Sequence, residues 1–308
     1  MADMREIPRV AVVIVTYNSA SVLGGCLASL PDGAKGVELA EIVVADNAST
    51  DDSLAIAALA EIPVTPVQLG RNAGYAAAVN AGIAALDLDT LDAVYVLNPD
   101  CRLPPESIAP LVRALDRPGV GISVPKMVNP DGSLQPSLRR MPTVGRAVIE
   151  AVIGGGRAGR IGRLGELITD PREYAKAGPV VWATGAAMLI SVPAIRAVGP
   201  WDESFLLYSE ETEFALRAAD LGWSLWYEPA ALIEHIGGDS GVNPTLAALL
   251  LVNKVKLFRR RRGPLAGAAY YLVVLAGESV RALAGRRVSQ KSVLWLLRPS
   301  RRLTALPG

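Results

Sequence analysis

Three glutamates, Glu210, Glu211 and Glu213, stand at the front of "FLLYSEETEFALRAADLGW", residues 205 to 223, a stretch with helical patterning. A carboxylate held near a substrate hydroxyl is a general base, and three acids at a helix start also simply complement the macrodipole. Helical phase separates them. At about 100° per residue, Phe214, Ala218 and Leu221 form an apolar stripe that includes the position of Glu211. Glu213, Arg217 and Asp220 project away from it, with Glu213 and Arg217 at the i,i+4 spacing of a surface ion pair. Glu211 is therefore the carboxylate predicted to lie against the protein body, where burial raises its pKa while the helix start lowers it. On either balance it is an anion at neutral pH, and the residues alone leave open whether it is a base or one of three capping acids.

Other candidates sit where apolar runs end. Thr16, Tyr17 and Asn18 follow "RVAVVIVT", Asp46 and Asn47 follow "EIVVA", and Asn98, Pro99 and Asp100 follow "AVYVL". In an open parallel sheet, ligands bind beyond the carboxyl ends of the strands, so these residues outline a pocket. No glycine fingerprint follows the first run, so a dinucleotide cradle is missing and a nicotinamide-dependent enzyme is disfavoured. A nucleotide bound there needs another counter-charge, which a divalent cation on Asp100 supplies. The same tripeptide recurs at Asn129, Pro130 and Asp131, where the following Gly-Ser between strand-like runs reads as a plain hairpin turn. In "GRNAGYAAAVNAGIAAL", Gly70, Gly74 and the small residues allow close backbone approach to a ligand, and Arg71 reaches toward a phosphate. His235, the single histidine, lies beside "GGDSG". A serine-protease triad is excluded there, because the only histidine is five residues from Ser240 and a triad draws its histidine from elsewhere in the fold.

The elements that must position these residues alternate between β-rich runs and helical segments up to about residue 100, which predicts parallel strands with crossover helices. Residues 139 to 180, with "GGGRAGRIGRLG", read as a flexible loop. Order resumes with the strand-like "VVWATGAAMLIS", the glutamate helix and the strand "WSLWYE". From residue 245 three helical segments follow, and the apolar run from Leu265 to Gly277 is shorter than the roughly 20 residues that cross a bilayer. The chain of 308 residues carries a net charge of only +1. From residue 241 onward, however, 13 lysines and arginines face one acid, a net of +12, while the preceding 240 residues carry 18 against 29, a net of −11. Two cysteines without framework spacing and one histidine predict a reducing compartment and no structural zinc.

Together these stretches resemble the inverting family 2 glycosyltransferases of the GT-A fold, and within them the bacterial rhamnosyltransferases that use dTDP-rhamnose in cell-envelope glycan synthesis. The matching segments are "VVIVTYNSASVLGGCLASL", "IVVADNASTDDS", "LGRNAGYAAAVNAGI", "YVLNPDCRL", "ATGAAMLISVPAIRAVGPWDESFLLYSEETEFALRAADLGW" and "HIGGDS". The resemblance implies an α/β, Rossmann-like, mostly parallel sheet flanked by helices over residues 1–240, with a nucleotide-sugar half to about 100, an acceptor half to 240, and a helical tail over 241–308. It implies that Thr16, Tyr17, Asn18, Asp46, Asn47, Arg71, Asn72, Gly74, Asn80, Asn98 and Asp100 line the donor, with Asp46 on the pyrimidine base. It places Asp100 and His235 on Mg²⁺ or Mn²⁺, Glu211 as the base, and Trp182, Thr184, Gly185, Trp201, Asp202 and Glu210 toward the acceptor. Here the family's metal motif reads Asn-Pro-Asp and its catalytic Glu-Asp pair reads Glu-Glu.

The implied reaction is displacement at an anomeric carbon, with a dTDP-sugar or UDP-sugar as donor and a polyprenyl diphosphate glycan as acceptor. The basic tail, mixing arginine with Leu, Trp and Tyr, predicts attachment to an anionic membrane surface, hence a peripheral enzyme on the cytoplasmic face of the cell membrane. Nucleic acid is the competing partner for "KVKLFRRRRG", and the apolar runs beside it favour lipid. A nucleotide-sugar-binding protein without turnover is the alternative that the motif departures raise, and a homo-oligomer is left open.

Overall fold

The structure, a computed structural model, describes residues 7–237 and 243–306. Its first half alternates strand and helix: β1 (Arg9–Thr16), α1 (Ala20–Gly33), β2 (Glu38–Asp46), α2 (Ser53–Ala58), β3 (Thr65–Gln68), α3 (Tyr75–Ala84) and β4 (Ala93–Leu97). These strands pair in parallel in the order β3-β2-β1-β4. Nearly all of β1 and every residue of β4 is buried, which is why they read as unbroken apolar runs rather than alternating ones. Successive residues of β1 feed opposite cores: Ala11, Val13 and Val15 pack with α3 through Ala76 and Val79, and Val10, Val12 and Ile14 pack with α1 through Leu23, Leu27 and Leu30.

The second half comprises β5 (Cys101–Arg102), α4 (Ala109–Leu115), β6 (Val120–Val128), β7 (Leu138–Arg139), α5 (Val144–Ile153), α6 (Gly155–Arg160), β8 (Gly178–Val180), β9 (Trp182–Ala183), β10 (Ala187–Ser191), α7 (Val192–Val198), α8 (Glu210–Asp220) and β11 (Ser224–His235). Here the sheet becomes mixed. β10 runs antiparallel between β4 and β6, β11 lies parallel to β6, and β5 and β8 lie antiparallel to β11. β7 and β9 form a separate two-stranded ribbon. The expected single strand "VVWATGAAMLIS" is broken at Thr184–Ala186 into β9 and β10.

Two helices, α9 (Pro244–Leu283) and α10 (Arg287–Leu297), complete the chain. Asn243 caps α9, its side-chain oxygen accepting from the amides of Thr245 and Leu246, and Pro244 occupies the first turn. Gly263, at φ 76° and followed by Pro264, divides α9 at the break expected from the sequence. The loop expected over 139–180 is corrected by α5 and α6. Glycine content misleads there, because Thr143 caps α5 and Ala147 joins an apolar cluster with Leu249, Val252 and Phe258 of α9. The partner that orders this segment lies about a hundred residues away in sequence, beyond the reach of local patterning.

Candidate active site

The β4–β5 link and the end of β11 meet at one corner. Cys101 pairs with His235 across the ladder, and the Asp100 carbonyl accepts from the Ile236 amide at 3.1 Å. This brings His235 Nε2 within 3.3 Å of Asp100 Oδ1, while Asp100 Oδ2 accepts from the Gly237 amide at 3.1 Å. Burial opposes ionisation of Asp100, but the hydrogen bond and positive charge that His235 supplies when its ring is protonated, with the backbone amides, outweigh it and hold the carboxyl below its ordinary value.

A third residue orients the imidazole. Gln135 Nε2 donates to the His235 carbonyl at 3.2 Å and to Asn129 Oδ1 at 2.9 Å, so Gln135 Oε1 is the atom 2.6 Å from His235 Nδ1. Nδ1 therefore carries a proton, and in the neutral ring Nε2 presents its lone pair toward Asp100 Oδ1, a buried oxygen without a hydrogen-bond partner among the described residues. A carboxylate oxygen facing an imidazole lone pair is the donor set of a divalent cation, so Asp100 and His235 fit Mg²⁺ or Mn²⁺. Cys101 lies in the same cluster, but burial holds its thiol neutral and it points to the Ala186 carbonyl at 3.5 Å. The second Asn-Pro-Asp is the expected turn, closed by Gly132 N donating to Asn129 O at 2.9 Å, yet its Asn129 also braces Gln135.

Along the strand ends, Thr16 and Asp46 are ladder neighbours. Asp46, 1% exposed, accepts from Thr16 Oγ1 at 2.9 Å, from Ser49 Oγ at 2.5 Å and from the Ser49 amide at 2.9 Å. Asn47 accepts from the Ala73 amide and donates to the Gly74 carbonyl, tying the β2 end to the glycine loop. Thr16, Asp46 and Asn47 thus build the edge. Asn18 and Arg71 are exposed, and Tyr17, Asn72 and Asn98 are half-buried.

Glu210 and Glu211 open α8 beside a cavity of about 410 Å³ whose wall includes Asn98, Trp182, Thr184, Gly185 and His235. A Cβ on Gly185 would come 3.1 Å from Glu211 Cβ, so the glycine lets the glutamate lie against the β9–β10 link. Glu210 is 3% exposed, and its Oε2 has no partner among the described residues. Desolvation, then the charge of Glu211, hold Glu210 well above the ordinary carboxyl value. Desolvation also raises Glu211, opposed by the amides of the helix start and by Arg139. Burial thus disfavours charge on both, more strongly on Glu210, and leaves Glu211 the better placed of the two to carry it. Glu213 bonds Arg217 at 2.9 Å, as its spacing requires, but the pair is mostly covered rather than a surface one, because Arg217 also donates to the Val198 and Pro200 carbonyls.

The segment entering α8 is strained and clamped. Leu206, Tyr208 and Ser209 all have positive φ, 62°, 69° and 78°, a conformation costly for residues with a Cβ. Asn253 of α9 holds it, with Nδ2 donating to the carbonyls of Phe205, Leu207 and Tyr208 at 2.6, 2.9 and 3.2 Å. The Leu206 carbonyl accepts from Tyr75 N at 2.9 Å, an approach that only Gly74 permits: a Cβ there would lie 2.1 Å from that oxygen.

Asn80, Trp201 and Asp202 do not line this cavity, and neither do Thr16, Tyr17, Asn18, Asp46, Asn47, Arg71, Asn72, Gly74 and Asp100. Asn80 bonds the main chain of Trp201 and the Glu203 carboxylate, Trp201 is 2% exposed and stacks on Phe214 at 4.9 Å, and Asp202 is ion-paired with Arg260 of α9. The Asn80 amide, one Trp201 ring face and the Asp202 carboxylate are engaged in joining α3, α8 and α9, whereas the buried Trp201 indole N–H has no partner among the described residues. Asp239 and Ser240 lie outside the described residues. Sequence reasoning missed Gln135 and Asn253. Asn253 was detectable as the lone amide in the apolar run "ALLLVNKVKLF", whereas nothing local marks Gln135.

A family model for glycosyl transferase family 2 matches residues 11–164. An N-acetylglucosaminyl-diphospho-decaprenol L-rhamnosyltransferase of Mycobacterium tuberculosis is 34% identical over 250 residues, 76% of this chain and 78% of the relative. A low-salt glycan biosynthesis hexosyltransferase of Haloferax volcanii, Agl10, is 28% identical over 209 residues, covering 68% and 61%. Among solved structures, the mannosyltransferase PcManGT from Pyrobaculum calidifontis, in complex with GDP-Man and Mn²⁺, superposes with TM-score 0.56 at 17% identity over 97% of this chain and 84% of its own. GalNAc-T7 with UDP, GalNAc and Mn²⁺ gives 0.60 at 15% identity over 95% and 56%. At such identities the structural likeness establishes the fold, the GT-A architecture expected from the sequence.

Proposed function

Since the chain belongs to glycosyl transferase family 2, we propose that it transfers L-rhamnose from dTDP-rhamnose, with inversion, to a hydroxyl of a polyprenyl diphosphate-linked glycan. The observation that carries this reading is that Glu211 and His235 line one cavity, a base facing the corner where a diphosphate would be held. The M. tuberculosis relative supports the choice of sugar and acceptor.

Glu211 accepts the proton of the acceptor hydroxyl, and Glu210, kept protonated by burial and by that neighbour, adds no second charge. Trp182 and Gly185 shape the acceptor wall. Asp100 and His235 would hold a divalent cation, which would supply the counter-charge for a leaving diphosphate. Thr16 and Asn47 hold the nucleotide edge, and the remaining acceptor capacity of Asp46 Oδ2 serves a base N–H. Tyr17, Asn18, Arg71, Asn72 and Asn98 supply polar groups beside it.

The second half of α9 supports a membrane setting. Its exposed positions, Leu265, Ala268, Ala269, Leu272, Ala276, Val280 and Leu283, repeat every three or four residues and are all apolar. Exposed Arg259 and Arg262 precede this face, and Arg286 and Arg287 follow it. No helix among the described residues is long and apolar enough to cross a membrane. Such a face flanked by cations suits a helix lying in the interface of an anionic membrane.

The direct test is release of dTDP from dTDP-rhamnose with a short-chain N-acetylglucosaminyl-diphospho-lipid and Mn²⁺ or Mg²⁺. The expected result is turnover in the wild type and a loss of about 10²- to 10⁴-fold in Glu211→Gln. Full activity in that variant would exclude Glu211 as the base, and turnover only with UDP-sugars would replace the donor.

A further inference from the structure

Arg139 is a guanidinium without a carboxylate. It ends β7, pairs with Trp182 across the ribbon, and lines the cavity that holds Glu211. Its Nη1 donates to the carbonyls of Pro136 at 3.0 Å and Leu138 at 3.2 Å, and among the described residues it makes no ion pair. The contrast with its surroundings is sharp. Adjacent Arg140 is paired with Glu173, and Glu166, another carboxylate on the cavity wall, is taken by Lys254 at 2.7 Å. The Trp182 ring lies 5.7 Å from the Arg139 guanidinium carbon, and its buried indole N–H has no partner among the described residues.

A cation in a partly desolvated cavity is costly unless an anion joins it. The guanidinium is permanently charged, and its planar fork matches the oxygens of a phosphate. We infer that Arg139 forms a diphosphate subsite on the wall of the Glu211 cavity. The inference rests on the transfer proposed above, in which both substrates bring a diphosphate: the departing nucleotide and the lipid-linked acceptor. Glu211 offsets part of the arginine's charge at longer range without forming an ion pair, so a diphosphate binds while the base stays ionised.

Calorimetry on the full chain with three probes tests the subsite: inorganic pyrophosphate, dTDP, and N-acetylglucosaminyl-diphospho-farnesol compared with a farnesyl glycoside lacking the diphosphate. Arg139→Ala should weaken pyrophosphate binding about tenfold or more, and Arg139→Lys should restore part of it. Weakening that extends to dTDP assigns the departing nucleotide, and weakening that extends to the diphospho-lipid alone assigns the acceptor. Arg139→Gln, which keeps the wall filled, replaces the alanine variant if that one fails to fold. A folded variant that binds pyrophosphate as tightly as the wild type overturns the subsite, as does a wild type that binds none of the three. If the wild type binds neither dTDP nor lipid yet loses pyrophosphate on substitution, the subsite stands and the proposed transfer falls.

Discussion

Gln135 accepts the Nδ1 proton of His235 at 2.6 Å and thereby turns Nε2 toward Asp100. Removing it in Gln135→Ala should weaken Mn²⁺ binding about 10- to 100-fold, the usual range when the group orienting a metal-bound histidine is lost. Gln135→Glu, which keeps an acceptor at that position, should retain most of the affinity. Mn²⁺ titration followed by electron paramagnetic resonance reads this without turnover, and unchanged affinity in Gln135→Ala would refute the orienting role.

Glu210 and Glu211 should differ in kind. Glu211→Gln abolishes the base, whereas Glu210→Gln reproduces the protonated carboxyl and should stay within a few-fold of wild-type kcat. Activity should fall as pH drops through the raised pKa of Glu211, above the usual glutamate value of about 4.3. A kcat limb at or below that ordinary value would contradict the burial of Glu211.

Stability carries a separate signature. Because the folded-state pKa of Glu210 is raised, the native state binds more protons than the unfolded chain once pH exceeds the unfolded value. Stability then decreases with rising pH until the folded pKa is passed. Glu210→Gln removes that contribution, so its melting temperature should exceed the wild type at pH 7 and approach it near pH 4. Parallel melting curves for the two proteins across this range would be inconsistent with a buried, protonated Glu210.

Asn253→Ala removes the amide donor that the Phe205, Leu207 and Tyr208 carbonyls share beside a strained segment. The expected cost is about 1–3 kcal/mol, with a further loss in kcat because Glu211 sits immediately downstream. Thermal melting together with kcat measurement checks it, and an unchanged kcat would show that the segment keeps its shape unaided.

Membrane attachment is tested on the exposed face of α9, since removing residues 241–308 would also remove Asn253. Leu272→Glu combined with Val280→Glu should abolish flotation with anionic vesicles while leaving melting unchanged, because both side chains are more than half exposed, at 60% and 67%. Retained flotation would assign attachment elsewhere.

The parallel half of the fold was legible because β1, β2 and β4 are apolar runs ending in polar residues, and the phase of α8 separated Glu211 from Glu213. The phase argument stopped at Glu210, which the stripe left out and the fold buries to 3% exposure. Burial there depends on the turn at 206–209 and on α9, neither of which helical periodicity registers. Asn80, Trp201 and Asp202 show the converse limit. Their types suit ligand contact, and the structural contacts they make where α3 meets the segment before α8 are announced by no local pattern. The corner at Asp100 was readable as chemistry, but its Gln135 was not, because a hairpin reveals nothing about the side chain it delivers to a distant strand.

The Asn253 contact also sets a phase condition on the chain. A single residue inserted between Asn243 and Asn253 would rotate the amide about 100° around the helix and shift it about 1.5 Å along it, leaving the three carbonyls facing another side chain. The length of this stretch is therefore constrained independently of its hydrophobicity or charge. A sequence with the same composition and a different count from cap to amide would keep the helix and lose the alignment of Glu211.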